Sequence, residues 1–372
     1  MSVPTKYQVI VDDIKAKIAT GEWPPDSLIP SQTELANMYE TSEMTSRRAL
    51  SELVNEGLIY RLRGKGSFVK GASSAAKGRE QAEPPYANNG LERVYLVHNT
   101  GAHIYYLEHR FYEEMFSAIR EEADRRGLAF GVWDYSLSGK LPDEPNTGFI
   151  ATTMGKYDFT SEHIEQWMKE GRDLVTVHSY FPQFPVPYVI VDNLTGGYLA
   201  TQHLLALGHR RIGILLTGSS LVDLNQEFSL RLQGYKLALD IAQIPLDSKL
   251  VHVIDADTEN QQSGERGFHY FFELDEPPTA IFATSDLKAY GLSRAAQMNG
   301  LSVPGDLSII GYDDLRFAQF TGLTTINQNT AQMGKKAVEI LCAPKASKGG
   351  SASLKDEIIP ALVVRSSTGP RT

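Results

Sequence analysis

From residue 91 onward, short apolar runs alternate with helical stretches, and this alternation constrains the fold more than any other feature of the chain. "RVYLVHN" precedes the helical "EHRFYEEMFSAIREEADRRG". Then come "LAFGVWDY", "GFIATTM", "DLVTVHSY", "YVIVD", "RIGILLTG", "LVHVID", "AIFATSD" and "LSIIGYDD". Helical stretches such as "TGGYLATQHLLALG" and "DLKAYGLSRAAQMNG" lie between most of them. Strands that read as continuous apolar runs, separated by helices, imply parallel sheets covered on both faces. The expected fold class is therefore α/β. A segment of about 280 residues is too long for one comfortable core, so two lobes are expected. Ligands in such folds lie beyond the carboxyl ends of the strands, in a cleft where two lobes face each other.

Residues 1–71 follow a different pattern. Tyr7, Val11, Ile14 and Ile18 fall at helical spacing, and Gly21 with Pro24 and Pro25 ends that helix. Ser31 followed by Glu34 predicts a capping box, with Leu35 and Met38 on the buried side. A third helix is expected from Thr41 or Ser42, carrying Ala49, Leu50, Leu53 and Val54 until Gly57. After it, "LIYRLR" and "SFVK" read as short strands joined by "GKG". Residues 72–90, "ASSAAKGREQAEPPYANNG", are small, polar and proline-bearing, and read as a linker. The expected domains are thus 1–71, a linker over 72–90, and 91–368.

The glycines and lysine of "RGKG" raise the question of a phosphate cradle. A nucleotide loop needs "G-x-x-x-x-G-K-[ST]" between a strand and a helix. Here the order differs and a strand follows, so a wing that touches DNA phosphates is the better reading; a plain hairpin turn is the bland one. Charge agrees with the wing. Between 47 and 79 the cations Arg47, Arg48, Arg61, Arg63, Lys65, Lys70, Lys77 and Arg79 face only Glu52 and Glu56. The chain as a whole has a net charge of −9, so this is a local basic patch on an acidic protein. Three helices and a ribbon make a winged helix-turn-helix pattern. Its third helix presents Glu43, Thr45, Arg47 and Arg48 at the end that reaches base edges.

The segment "LIPSQTELANMY…TSEMTSRRALSELVNEGLIYRLRGKGSFV" resembles the GntR-type winged helix. The resemblance implies DNA contacts from Thr45, Arg47 and the wing glycines Gly64 and Gly66; Ser31, Arg48, Arg63 and Lys65 are further candidates beside them. That family usually has arginine where Glu43 stands. An anion there weakens attraction to phosphate, and it either accepts from cytosine N4 or serves only the helix dipole. The segment from 188 to 218, "YVIVDNLTGGYLATQHLLALGHRRIGILLTG", resembles the LacI–GalR effector domain, which has the periplasmic-binding-protein fold. "RLQGYKLAL", "PPTAIFATSDLKAYGLSRAAQMNGLSVPGDLSIIGYDDLRFAQF" and "IIPALVVRSST" extend the likeness in order. A GntR-type head on such a body is similar to the arabinose-repressor group. The fold it implies is a winged helix-turn-helix plus a two-lobed domain of two doubly wound parallel sheets.

The resemblance implies that Arg231 and Asp313 hold the effector, with Ser285, Asp286 and the loop around Thr100–Tyr106 contributing. Aspartate accepts from sugar hydroxyls and arginine donates to them in a fixed fork. Asp286 either contacts ligand or caps its helix. Tyr105 either stacks on a sugar ring or packs. His178 either touches ligand or is merely hydrogen-bonded. Asp192-Asn193 reads as a cap or hinge, and His209, Arg210 and Arg211 as a surface turn.

The function these readings imply is a sequence-specific regulator, a repressor released from operator DNA by a sugar, working as a homodimer. Two other classes are weaker. An enzyme would need a motif such as "G-x-G-x-x-G", "G-x-S-x-G" or "H-E-x-x-H", and none occurs. A solute-binding protein would need an export signal and no head. No catalytic residue, cofactor or metal is expected; the single cysteine, Cys342, excludes an internal disulfide and a cysteine-ligated metal cluster. No apolar run approaches the ~18–20 residues of a membrane span. The N-terminus lacks a signal-peptide pattern, so a cytoplasmic protein is expected.

Overall fold

The structure is a computed structural model, which describes residues 6–25, 27–55, 58–62, 66–69, 89–99, 113–152, 159–255, 260–343 and 355–371. It divides into two compact units, Met1–Pro85 and Tyr86–Thr372. The wing tip 63–65, most of the linker and the loop holding Tyr105 lie outside the described residues.

In the first unit, helix α1 (Lys6–Ala19) buries Ile10, Val11 and Ile14. Gly21, at φ 77°, takes the left-handed turn that ends it. Helix α2 (Gln32–Met38) carries the predicted capping box: Glu34 N donates to Ser31 Oγ at 3.2 Å, and Ser31 N donates to Glu34 Oε2 at 2.7 Å. Met38 is a correction, because it is 54% exposed. The buried stripe of this short helix runs through Leu35 and Ala36 to Tyr39, one step round from the expected spacing. Helix α3 (Glu43–Asn55) packs on α1 and α2 through Ala49, Leu50 and Leu53. Strands β2 (Ile59–Leu62) and β3 (Gly66–Val69) pair antiparallel, with Tyr60 opposite Phe68. A third strand, β1 (Leu28–Ile29), joins them on the other edge of β3. Two residues carry no periodicity, so the sequence could not announce it.

The second unit holds two parallel sheets. The first contains β4 (Arg93–His98), β5 (Ala129–Asp134), β6 (Thr147–Thr152), β7 (Asp173–Val177), β8 (Tyr188–Val191) and β14 (Lys355–Ile358), in the order β14-β8-β7-β6-β4-β5. On one face, α4 (Glu113–Arg125) and α12 (Thr330–Cys342) close a core around Ile119, Ile150, Val175 and Val338. On the other, α5 (Tyr135–Ser138) and α6 (Ser161–Lys169) bury Phe149, Phe159 and Trp167. The second sheet contains β9 (Ile212–Thr217), β10 (Val251–Ile254), β11 (Ala280–Ala283) and β12 (Ser308–Ile310), in the order β10-β9-β11-β12. Its helices are α7 (Asn193–Ala206), α8 (Gln226–Ile241), α9 (Gln261–Phe272), α10 (Asp286–Met298) and α11 (Arg316–Thr321). A short pair, β13 (Thr325–Asn327) with β15 (Ala361–Val363), runs antiparallel beside it.

All residues of β6, β8, β9, β11 and β12 are buried. That explains the unbroken apolar runs: a strand covered on both faces has no polar side to show. The chain passes between the lobes three times, at 191–193, 327–330 and 358–361. In each sheet the order reverses beside the first strand, next to β4 and next to β9, which opens a crevice at the carboxyl ends.

His209 is a second correction. It is 3% exposed rather than part of a surface turn. Its Nδ1 lies 2.9 Å from Thr279 Oγ1, and its Nε2 lies 3.0 Å from both Ser308 Oγ and the Gly369 carbonyl. It fastens the end of α7 to the far ends of β11 and β12. Burial holds its pKa below the usual imidazole value. Arg211 does stay near the surface, paired with Asp247 at 3.0 Å.

Candidate functional site

In the head, Ser42 Oγ accepts from Thr45 N at 3.2 Å and lies 2.9 Å from Thr45 Oγ1. This local cap starts α3 and fixes the Thr45 hydroxyl. Glu43 is exposed at the first position of α3, and Thr33 Oγ1 donates to its Oε1 at 2.8 Å. Arg47 follows one turn later, half-buried. Arg48 lies on the same helix; its side chain is outside the described residues, as are Arg63, Gly64 and Lys65. Gly66 opens β3 opposite Leu62. Ser31 is exposed, and its hydroxyl is committed to the α2 cap.

In the body, polar side chains converge at the carboxyl ends of both sheets. His98 and Asp134 end β4 and β5, both buried, with Nδ1 3.9 Å from Oδ1. Thr152 ends β6, its hydroxyl buried and without a hydrogen-bond partner among the described residues. His178 follows β7 at φ 69°, in the left-handed region, and its Nδ1 lies 3.3 Å from Glu227 Oε1 on α8 of the other lobe. A second link joins the lobes nearby. Tyr180 N donates to Gln226 Oε1, and Gln226 Nε2 donates to the Tyr180 carbonyl, each at 3.2 Å.

Arg231 is 3% exposed and lies in the middle of this region. Its Nε donates to Asn193 Oδ1 at 2.8 Å, and its Nη1 donates to the Thr284 carbonyl at 2.7 Å. Its guanidinium lies 3.8 Å from the ring centre of buried Tyr312 and 3.7 Å from Glu227. Burial alone would raise the Glu227 carboxyl. The His178 hydrogen bond and the Arg231 charge outweigh it and hold that pKa below the usual value. Lys288 is fully buried at the crevice between β9 and β11, donating to Thr217 Oγ1 at 3.0 Å and Thr284 Oγ1 at 2.8 Å.

Ser285 and Asp286 divide the roles expected of them differently from the sequence reading. Ser285 is the cap of α10, accepting from Lys288 N at 3.4 Å. Asp286 is wholly buried. It accepts from Leu315 N at 2.7 Å and from Thr325 Oγ1 at 2.6 Å, so it ties the strand end to the following loop. Burial, and then the charge of Asp313, push its pKa well above the carboxylate range.

Asp313 accepts from Gln328 Nε2 at 2.6 Å. Asp313 and Asp314 have φ values of 119° and 55°, unfavourable for residues with a Cβ. The strain is held by Asp313 N donating to the Ile326 carbonyl at 2.8 Å and by Arg365 on Asp314 at 2.7 Å. A cavity of about 440 Å³ opens here. Glu113, Glu114 and Ser117 at the start of α4 line it from one lobe, and Asp313, Arg316 and Arg365 line it from the other. Arg231 is not among its lining residues. It is closed against Asn193 and Thr284 instead.

Sequence reasoning missed Glu227, Tyr312 and Lys288, and read Asn193 only together with Asp192 as a cap or hinge, where Asp192 does cap α7. The first had a signal, since Glu227 and Arg231 are four apart on one helix. Asn193 and Tyr312 meet Arg231, and Lys288 meets Thr217 and Thr284, only through the fold. No helix among the described residues is long and apolar enough to cross a membrane.

Comparison with known proteins agrees with both units. Residues 6–69 match the gntR family of bacterial regulatory proteins, and residues 201–368 match the periplasmic binding protein-like domain. The arabinose metabolism transcriptional repressor of Halalkalibacterium halodurans is 29% identical over 376 residues, covering 98% of this chain and 96% of that protein. The HTH-type transcriptional regulator DegA of Bacillus subtilis is 31% identical, covering 70% of this chain and 77% of that protein. A LacI transcriptional regulator from a Rhodococcus species superposes with a TM-score of 0.62 at 26% identity, over 75% of this chain and 99% of that one. The relatives are regulators of transcription, not enzymes, and this chain belongs to the family of DNA-binding transcriptional regulators that join a GntR-type helix-turn-helix to a periplasmic-binding-like effector domain.

Proposed function

We propose that the chain is a cytoplasmic repressor of sugar-metabolism genes. As a homodimer it holds a near-palindromic operator through two heads, and a sugar or sugar derivative bound between the lobes releases it. The observation that carries this reading is the convergence of buried and half-buried donors and acceptors at the facing strand ends and the first turns of α8. Arg231, Asp313, His178 and Glu227 suit a small ligand rich in hydroxyls, because each hydroxyl both donates and accepts. The names of relatives that span almost the whole chain support the sugar class. Paired heads follow from operator symmetry, since a two-fold protein reads a two-fold site. Effector binding releases DNA only through differential affinity for two arrangements of the protein.

A thermal-unfolding screen of the full chain tests the effector class, using pentoses, hexoses, disaccharides and sugar phosphates. A ligand at 100 times its dissociation constant adds ~2.7 kcal/mol to the unit that binds it. The expected result is a raised melting temperature from one chemical class, with the ligand recovered unchanged. A flat response across the panel, or turnover of the bound sugar, would contradict the proposal.

A further inference from the structure

We propose that Glu43 reads a cytosine in each operator half-site and that Thr33 positions it to do so. This inference rests on the reading above that α3 is the helix that enters the major groove. Glu43 occupies the first position of α3, the end that such a helix presents to base edges. The N-cap role there is already filled by Ser42, whose hydroxyl accepts from Thr45 N. Glu43 is therefore not needed as a cap. Its carboxylate is instead held from the neighbouring helix, where Thr33 Oγ1 donates to Oε1 at 2.8 Å. One hydrogen bond uses one of the roughly four lone-pair sites of a carboxylate. The rest of this exposed group stays free to accept, while the Thr33 bond narrows the orientations it samples.

The chemistry selects the base. An ionised carboxylate only accepts hydrogen bonds. In the major groove, guanine offers two acceptors and thymine an acceptor and a methyl group. Adenine offers a donor with the N7 acceptor beside it. Cytosine offers the N4 donor alone. Cytosine is thus the base edge that pairs with Glu43 without opposing a lone pair. The same anion lowers attraction to every phosphate nearby, so its presence trades general affinity for discrimination.

In vitro selection from a randomised duplex library, run on the full chain, decides the matter. The wild type is expected to enrich cytosine at one position of each half-site. Glu43→Gln is expected to change that position alone, toward adenine, which glutamine contacts through N6 and N7. It is also expected to bind random duplex more tightly, having lost an anion. Wild-type discrimination at the position should fall roughly fivefold to a hundredfold in the variant, the span of a single mismatch. Thr33→Val should keep the cytosine with weaker enrichment. Both side chains are exposed, so melting temperatures should match the wild type. Identical selected sites for wild type and Glu43→Gln would overturn the inference, as would a uniform change in affinity for all duplexes. A wild type that enriches no sequence would overturn both this inference and the reading it rests on.

Discussion

Replacing Arg231 with alanine is expected to destabilise the effector unit by about 3 kcal/mol, the lower end of the range for breaking a buried charge pair. The lower end applies because Glu227 keeps 21% of its side chain exposed. The substitution leaves the Thr284 carbonyl and Asn193 without their guanidinium donors, and it removes the cation stacked on Tyr312. For a unit of this size that corresponds to a fall of roughly 6–12 °C in melting temperature. Arg231→Lys should recover only part of it, since an ammonium carries the charge but not the fork. Calorimetry of the full chain reads the loss directly. An Arg231→Ala chain that melts with the wild type would mean that the guanidinium is not seated as described.

Gly234→Ala is expected to destabilise the same unit by roughly 3 kcal/mol, the cost of overpacking a closed site. Gly234 lies inside α8 where that helix meets α7. A Cβ placed there would lie 2.1 Å from the Leu194 carbonyl and 2.5 Å from Tyr198 N, both backbone atoms. Gly197 makes the reciprocal approach from α7, 2.2 Å from the Arg231 carbonyl. Neither helix can yield without moving Arg231 or Asn193. The sign of the effect is diagnostic. Helix propensity alone predicts that Gly→Ala in a helix interior gains roughly 0.5–1 kcal/mol. A denaturant midpoint that rises in Gly234→Ala would therefore contradict the close approach, and a midpoint that falls supports it.

The strands of the second unit were visible as apolar runs because burial on both faces leaves no polar alternation. The Ser31–Glu34 box was visible because its chemistry is local, confined to four residues. Met38 and His209 misled for the opposite reason. Which side of a two-turn helix is buried depends on what packs against it, and a His-Arg-Arg run looks solvent-facing until strands from 70 and 99 residues away supply the partners of His209. The effector region was legible in part. Strand ends pointed to Asp286, Asp313 and His178, but the separation of Asp286 as a strut from Asp313 at the cavity needed the fold. So did the partnership of Arg231 with Asn193, Tyr312 and Thr284, which lie 38 to 81 residues away along the chain.

If the bound sugar releases the operator, coupling between the two sites is measurable from either side. A labelled operator duplex, selected with the wild-type chain, is titrated by fluorescence anisotropy with and without the saturating sugar found by thermal screening. Effector affinity is then measured with and without the duplex. The sugar is expected to weaken operator binding, on the order of 5–150-fold, and the operator to weaken sugar binding by the same factor. A sugar that binds the body while leaving operator affinity unchanged would contradict release by the effector.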